Sequence, residues 1–157
     1  MFPVRVPLAS NRVRYGMVLF VAVIIIFLSV VNPAAIKGES NVGGQSYGPF
    51  GIDYGPLGWL ESDTWAHGMG YALFTATLAY AFVAPIQTNR LHRLALAVCI
   101  AIMFGICMEL VQTTLPYRNG NAFEATVNAI SVCLTAAVWW LITQTRNVRF
   151  GSADRVT

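Results

Sequence analysis

The sequence predicts an all-α membrane protein with four transmembrane helices, both termini cytoplasmic, and a long Gly-, Pro- and aromatic-rich outer loop between helices 1 and 2. Three observations predict it. First, 56% of the 157 residues are hydrophobic and only 11% are charged, and the mean hydropathy is +0.59. A water-exposed domain carries about 25% charged residues, so this chain lacks the polar surface to cover one. Second, four apolar runs reach the roughly 17–25 residues that a bilayer-crossing helix needs. Third, Lys and Arg alternate in abundance between the segments that separate those runs. At this length, residues 1–157 are expected to form a single domain.

The first run spans 15–31, with Ser29 its one clearly polar member beyond the flanking Tyr15. The second spans about 64–84, the third 94–115 and the fourth 122–143. Lipid offers no partners to a bare backbone, so each run should be helical. Arg5, Arg12 and Arg14 ahead of the first run also suit a signal peptide. Its apolar part is longer than the usual h-region of about 7–15 residues, and VNPAAIKG is a poor cleavage site, so a retained helix is expected.

Of the ten Lys and Arg residues, eight lie before the first run, between the second and third, or after the fourth. Only Lys37 and Arg118 lie in the other two loops. Positive charge collects on the cytoplasmic side, which puts both termini inside and loops 32–62 and 116–121 outside. Loop 32–62 carries the small repeat YGPFG at 47–51 and YGPLG at 54–58. Its Gly and Pro favour turns, and its aromatic residues suit the headgroup layer. It reads as an interfacial loop or as a lid over an outer-face site. The basic ends, including Arg12, Arg14, Arg146 and Arg149, are expected to meet anionic lipid headgroups. Cys99, Cys107 and Cys133 have no CxxC spacing and read as small buried hydrophobes.

With this topology the polar residues of the apolar half converge. Asp63, His67 and Tyr71 are four apart, on one face of the second helix near its outer start. Glu109 and Gln112 share a face near the outer end of the third. Arg118 lies in the outer loop, and Glu124 and Asn128 start the fourth helix, with Ser131 and Thr135 continuing their stripe inward. Each has a plainer reading. Asp63 suits a helix N-terminus, and Asn121 with Glu124 forms a capping-box pattern. His67 fits a packed histidine bonded to Asp63, Tyr71 fits packing, and Asn128, Ser131 and Thr135 fit interhelical hydrogen bonding. Arg118 fits a surface pair. Glu109 is the hardest to explain this way, because an intramembrane carboxylate is costly unless it is paired or faces a polar cavity. His92, between Arg90 and Arg93, reads as a surface residue.

These residues resemble the VanZ-like family, named for a teicoplanin-resistance protein, over roughly 60–140. The family pattern is an Asp, a His four later and a Tyr four after that, matched by Asp63, His67 and Tyr71. Glu-x-x-Gln and Pro-x-Arg follow, matched by Glu109, Gln112, Pro116 and Arg118. An acid six after the Arg and an Asn four later are matched by Glu124 and Asn128. The chain departs from the pattern in having Glu124 for the usual Asp, Ser131 for the closing Gly, and Thr64 where a Lys often follows the first Asp. The resemblance implies an outer-face membrane domain linked to the cell envelope or to glycopeptide antibiotic response. It implies no particular reaction.

Three functions fit. In an enzyme acting on a lipid-linked or headgroup substrate, Asp63, His67, Glu109, Arg118 and Glu124 are the catalytic candidates, and Tyr71, Gln112 and Asn128 orient them. Arg118 would clamp a phosphate or carboxylate, and His67 and Glu109 would serve as acid and base. In a binding or transport module the same groups would hold an anionic ligand, and transport through so few helices would call for a homo-oligomer. In a structural protein they would form an ion network that fixes helix register. No cofactor and no metal ligand is assigned: one His and three carboxylates suit a divalent ion, but no spacing marks which. Membrane lipids are the expected partners, and no nucleic-acid module is present in the sequence.

Overall fold

A computed structural model describes residues 5–31, 62–83, 89–118, 120–145 and 149–152. The order is β1 (Arg5–Leu8), α1 (Asn11–Val30), α2 (Ser62–Phe82), α3 (Arg90–Thr113), α4 (Ala122–Thr145) and β2 (Arg149–Ser152). Four helices therefore occur where four apolar runs are expected. The outer loop with its YGPFG and YGPLG repeat lies outside the described residues.

Helix α1 is dense in Val and Ile, which are indifferent helix formers in water. A helix closes every backbone bond within its own segment, and in an apolar setting that requirement overrides propensity. The helix starts at an N-cap, Ser10, whose Oγ accepts from Val13 N at 3.5 Å. Arg14, Val21, Ile25 and Ser29 form its buried face, at spacings that keep them on one side. Leu19, Phe20 and Phe27 point outward and are well exposed.

Helices α1, α3 and α4 are long and apolar enough to cross a membrane. Helix α2 does not meet that standard, although it was expected to. Its position explains this: α2 packs against all three of the others. Tyr71, Phe74, Thr75, Leu78, Ala79 and Ala81 are buried along it. A helix sheathed by its neighbours need not be as apolar as one that faces lipid. Its threonines satisfy their own hydroxyls, Thr75 Oγ1 donating to Tyr71 O at 2.8 Å and Thr77 Oγ1 to Phe74 O at 2.8 Å.

Small residues set the close contacts. The buried face of α3 carries Ala97, Ala101 and Gly105 at every fourth position, an arrangement that lets helices approach closely. A Cβ on Gly105 would lie 3.2 Å from the ring of Tyr71. A Cβ on Gly68 would lie 3.0 Å from Ser131 Oγ. The close approach that a Gly at position 131 would permit is thus supplied from the opposite helix, by Gly68.

Below this region the described interior is mostly apolar, with Thr75, Thr77 and, near the ribbon, Arg14 also buried. Val21, Ile25, Tyr71, Phe74, Leu78, Ala97, Ala101 and Val132 form one cluster, and Ala79, Val83, Leu94 and Ala136 form another, with Trp139 and Trp140 against it.

The helices run up and down. Arg14 near the start of α1 reaches Ala81 O near the end of α2 at 3.4 Å. Gln112 near the end of α3 reaches Ser29 O near the end of α1 at 3.3 Å. An even number of antiparallel helices returns the chain to the end where it began, and there β1 and β2 pair in parallel, Arg5 opposite Arg149 and Leu8 opposite Ser152. This ribbon was not expected: four residues per strand, each opening on an arginine, give no sequence signal longer than a turn.

Three expectations are corrected. Arg14 is buried rather than held at headgroups: it also donates to Asn11 Oδ1, and its carbonyl contact neutralises the negative end of α2. Cys99, Cys107 and Cys133 are free and exposed, not buried. All three lie on outward faces of α3 and α4, where apolar side chains serve equally well against lipid, so hydropathy alone does not tell inside from outside. Helix α3 also begins at Arg90, four residues before its apolar run, with Asn89 in the left-handed region at φ 56°, which Asn tolerates better than most residues. His92 and Arg93 are thus helical rather than in a loop.

Candidate functional site at the far end of the bundle

The end opposite the ribbon holds the ends of α1 and α3 and the starts of α2 and α4. Glu109 is on the buried face of α3 near its last turn. Its Oε2 accepts from the backbone N–H of Asn121 at 3.1 Å, and its Oε1 accepts from Asn128 Nδ2 at 3.2 Å. The same Oε1 lies 3.9 Å from His67 Nδ1 of α2. One carboxylate therefore bonds α3 to α4 and lies beside α2.

Asn121 caps α4 as expected, its Oδ1 accepting from Phe123 N at 2.9 Å. The other half of a capping box would hand the Asn121 N–H to Glu124. That N–H goes to Glu109 instead. Glu124, in the first turn of α4, stands beside the cluster: one donor atom each of His67, Glu109 and Glu124 all lie within 4.8 Å of one another. Tyr71, buried one turn below His67, packs its ring against Phe104, with centroids 6.2 Å apart.

The turn between α3 and α4 makes this possible. At Gly120 a Cβ would fall 2.5 Å from Glu109 O and 2.5 Å from Thr113 Cγ2. Only a residue without a side chain lets the loop fold back so tightly on the end of α3. Sequence reading missed Gly120, although the NGN run at 119–121 is a turn signal.

Gln112 and Arg118 take a different place. The last carbonyls of a helix have no partner within it. In α1 they are taken up from outside. Arg118 Nη2 donates to Leu28 O at 2.8 Å and Val31 O at 3.4 Å. Gln112 Nε2 donates to Ser29 O, and Tyr117 Oη donates to Val30 O at 2.9 Å. Three side chains thus cap four successive carbonyls, and the guanidinium places positive charge at the negative end of the helix. Sequence reading missed Tyr117, because a Tyr in a loop carries no distinguishing pattern.

His67, Glu109, Glu124 and Asn128 are therefore brought together, with Tyr71 beneath them, while Gln112 and Arg118 clamp α1 beside them. Ser131 lies against Gly68, and Thr135 Oγ1 donates to Ser131 O at 2.8 Å, a bond within the helix rather than between helices. Asp63 lies in the first turn of α2; its side chain is outside the described part of the structure. The chain matches no protein-family model, no curated protein and no solved structure at a significant level.

Proposed function

We propose that the chain is a VanZ-like, multi-pass protein of the cytoplasmic membrane that acts on the headgroup of a lipid-linked or cell-envelope substrate. In this reading all four helices cross the bilayer, the ribbon and both termini are cytoplasmic, and the His67–Glu109–Glu124 end faces outward. The charge distribution supports that orientation, since eight of ten basic residues lie in sequence before the first apolar run, between the second and third, or after the fourth.

One observation carries the reading: an imidazole and two carboxylates lie within 4.8 Å of one another at one end of a bundle whose outer surface is apolar. Polar groups at membrane depth are costly and mark functional sites by default. A site at the bundle's end, at headgroup level, is reached by an amphiphile without leaving the membrane. His67 and Glu109 are the acid/base pair for hydrolysis or transfer at that headgroup. Among the described residues the interior beneath is mostly apolar, and its buried Thr75 and Thr77 bond within their own helix, which favours a one-sided site over a transport path.

A second reading is favoured by a separate observation. Both oxygens of Glu109 already accept hydrogen bonds from α4, as expected of an ion network that only fixes helix register. Mass spectrometry of total lipids separates the two. Cells would carry no copy, the wild type, or His67→Gln at matched membrane level. The enzyme reading expects a lipid species that changes with the wild type and reverts with His67→Gln. Identical lipids in all three cells would sink it and leave the structural network.

A further inference from the structure

We infer that His67, Glu109 and Glu124 form a binding site for one divalent transition-metal ion of the zinc or manganese class, with the amide of Asn128 completing it. The inference rests on the cluster used in the headgroup reading but not on any turnover.

The donor set comes first. One imidazole nitrogen of His67 and one carboxylate oxygen each from Glu109 and Glu124 lie within 4.8 Å of one another. A tetrahedral shell with bonds of about 2.1 Å holds its ligands about 3.4 Å apart. The observed His67 Nδ1 to Glu109 Oε1 separation is 3.9 Å. Closing the shell therefore asks for side-chain movements on the order of 1 Å, with no backbone change. One imidazole with two carboxylates suits zinc or manganese; calcium takes six to eight oxygens and little nitrogen.

The second observation is independent of the cluster. Asn128 is 2% exposed. Its Nδ2 donates to Glu109 Oε1, but its Oδ1 is buried and accepts from no group among the described residues. A buried acceptor without a donor costs about 1–3 kcal/mol. A cation beside Glu109 removes that cost, since an amide oxygen is a good ligand for it.

The surrounding bonds hold the ligands in place. The Asn121 N–H fixes Glu109 Oε2 and so turns Oε1 toward His67. Hydrogen bonds of this kind orient ligands around metals. The three ligands come from α2, α3 and α4, so the ion would also fasten the bundle's end.

The test uses the full chain, purified in detergent without a histidine tag, stripped with chelator, equilibrated with Zn²⁺ or Mn²⁺ and desalted. Elemental analysis is expected to find about one ion per chain. His67→Gln and Glu124→Gln should each lower retention by at least about tenfold, while His92→Gln, at the opposite end, leaves it unchanged. No retained ion, or equal retention in all variants, overturns the proposal; so does retention of Ca²⁺ or Mg²⁺ alone. Should the variants fail to fold, X-ray absorption of the loaded wild type decides: imidazole among N/O ligands at about 2.0–2.2 Å supports the site, and its absence refutes it. Metal retained while lipids stay unchanged would defeat the headgroup reading alone. Altered lipids without retained metal would defeat this inference alone.

Discussion

The backbone N–H of Asn121, at the start of α4, donates to the Oε2 of Glu109, near the end of α3, across 3.1 Å. A carboxylate that looks catalytic in the sequence is therefore also the bond that closes the α3–α4 turn. This has a practical consequence for mutagenesis. Glu109→Ala removes the acceptor of both Asn121 N and the buried Asn128 Nδ2. Each stranded donor costs about 1–3 kcal/mol, so the alanine variant should lose about 2–6 kcal/mol and unfold at clearly lower temperature in detergent. Glu109→Gln keeps one acceptor oxygen and should lose less than half as much. Thermal unfolding followed by circular dichroism checks the order; equal midpoints for Ala and Gln would show that the two bonds carry no stability.

The same pair shows what was readable from the sequence. Helix existence was legible because apolar runs of bilayer length are a strong signal, and all four helices occur. Their ends were less so, because hydropathy marks the greasy part of a helix and α3 extends four residues into polar sequence, to Arg90. The convergence of His67, Glu109 and Glu124 at one end was legible because helical spacing and alternating charge put them there. The division of labour among them was not legible. Whether Glu124 or Glu109 takes the Asn121 N–H depends on how the loop folds over Gly120, and only three-dimensional contact decides that. Likewise, Arg118 as a helix cap and Arg118 as a substrate clamp look the same in one dimension.

Gly120 and Gly105 should respond differently to alanine. At Gly120 the new Cβ meets a backbone carbonyl, Glu109 O, at 2.5 Å, and backbone cannot step aside. Gly120→Ala should destabilise by about 1–3 kcal/mol through forced repacking and displace the Glu109–Asn121 bond. At Gly105 the neighbour is the Tyr71 ring at 3.2 Å, which can tilt by a few tenths of an ångström. Gly105→Ala should therefore be the milder change, about 1 kcal/mol. Unfolding midpoints of the two variants, measured side by side, check this; a Gly105→Ala chain less stable than Gly120→Ala contradicts the packing described.

The outward cysteines provide a test of orientation. Cys99, Cys107 and Cys133 are exposed on the bundle, so replacing all three with Ala should change stability by less than about 1 kcal/mol. On that background, single cysteines report the side of each end. Thr114→Cys, exposed at the site end, should react with a membrane-impermeant maleimide in intact cells. His92→Cys, exposed at the ribbon end, should react only after permeabilisation. The reverse labelling would turn the bundle over and put the site in the cytoplasm.

The clamp on α1 separates capping from chemistry at Arg118. Its Nη2 reaches two carbonyls, Leu28 O and Val31 O, which suits a planar guanidinium better than an ammonium. Gln112, buried, holds Ser29 O. Gln112→Ala should cost about 1–2 kcal/mol, because it leaves a buried carbonyl without its donor. Tyr117→Phe should cost under about 1 kcal/mol, because Val30 O is bonded at an exposed position where water can replace the phenol. Arg118→Lys should fall between them. Hydrogen exchange at the end of α1, read by mass spectrometry, gives the local measure, and all three variants should raise it in that order. If Arg118→Lys leaves exchange and stability at wild-type values yet abolishes a lipid change seen with the wild type, the guanidinium serves a substrate and not the helix. If exchange rises and the lipid change falls only in proportion, its work is to hold α1 closed over the site.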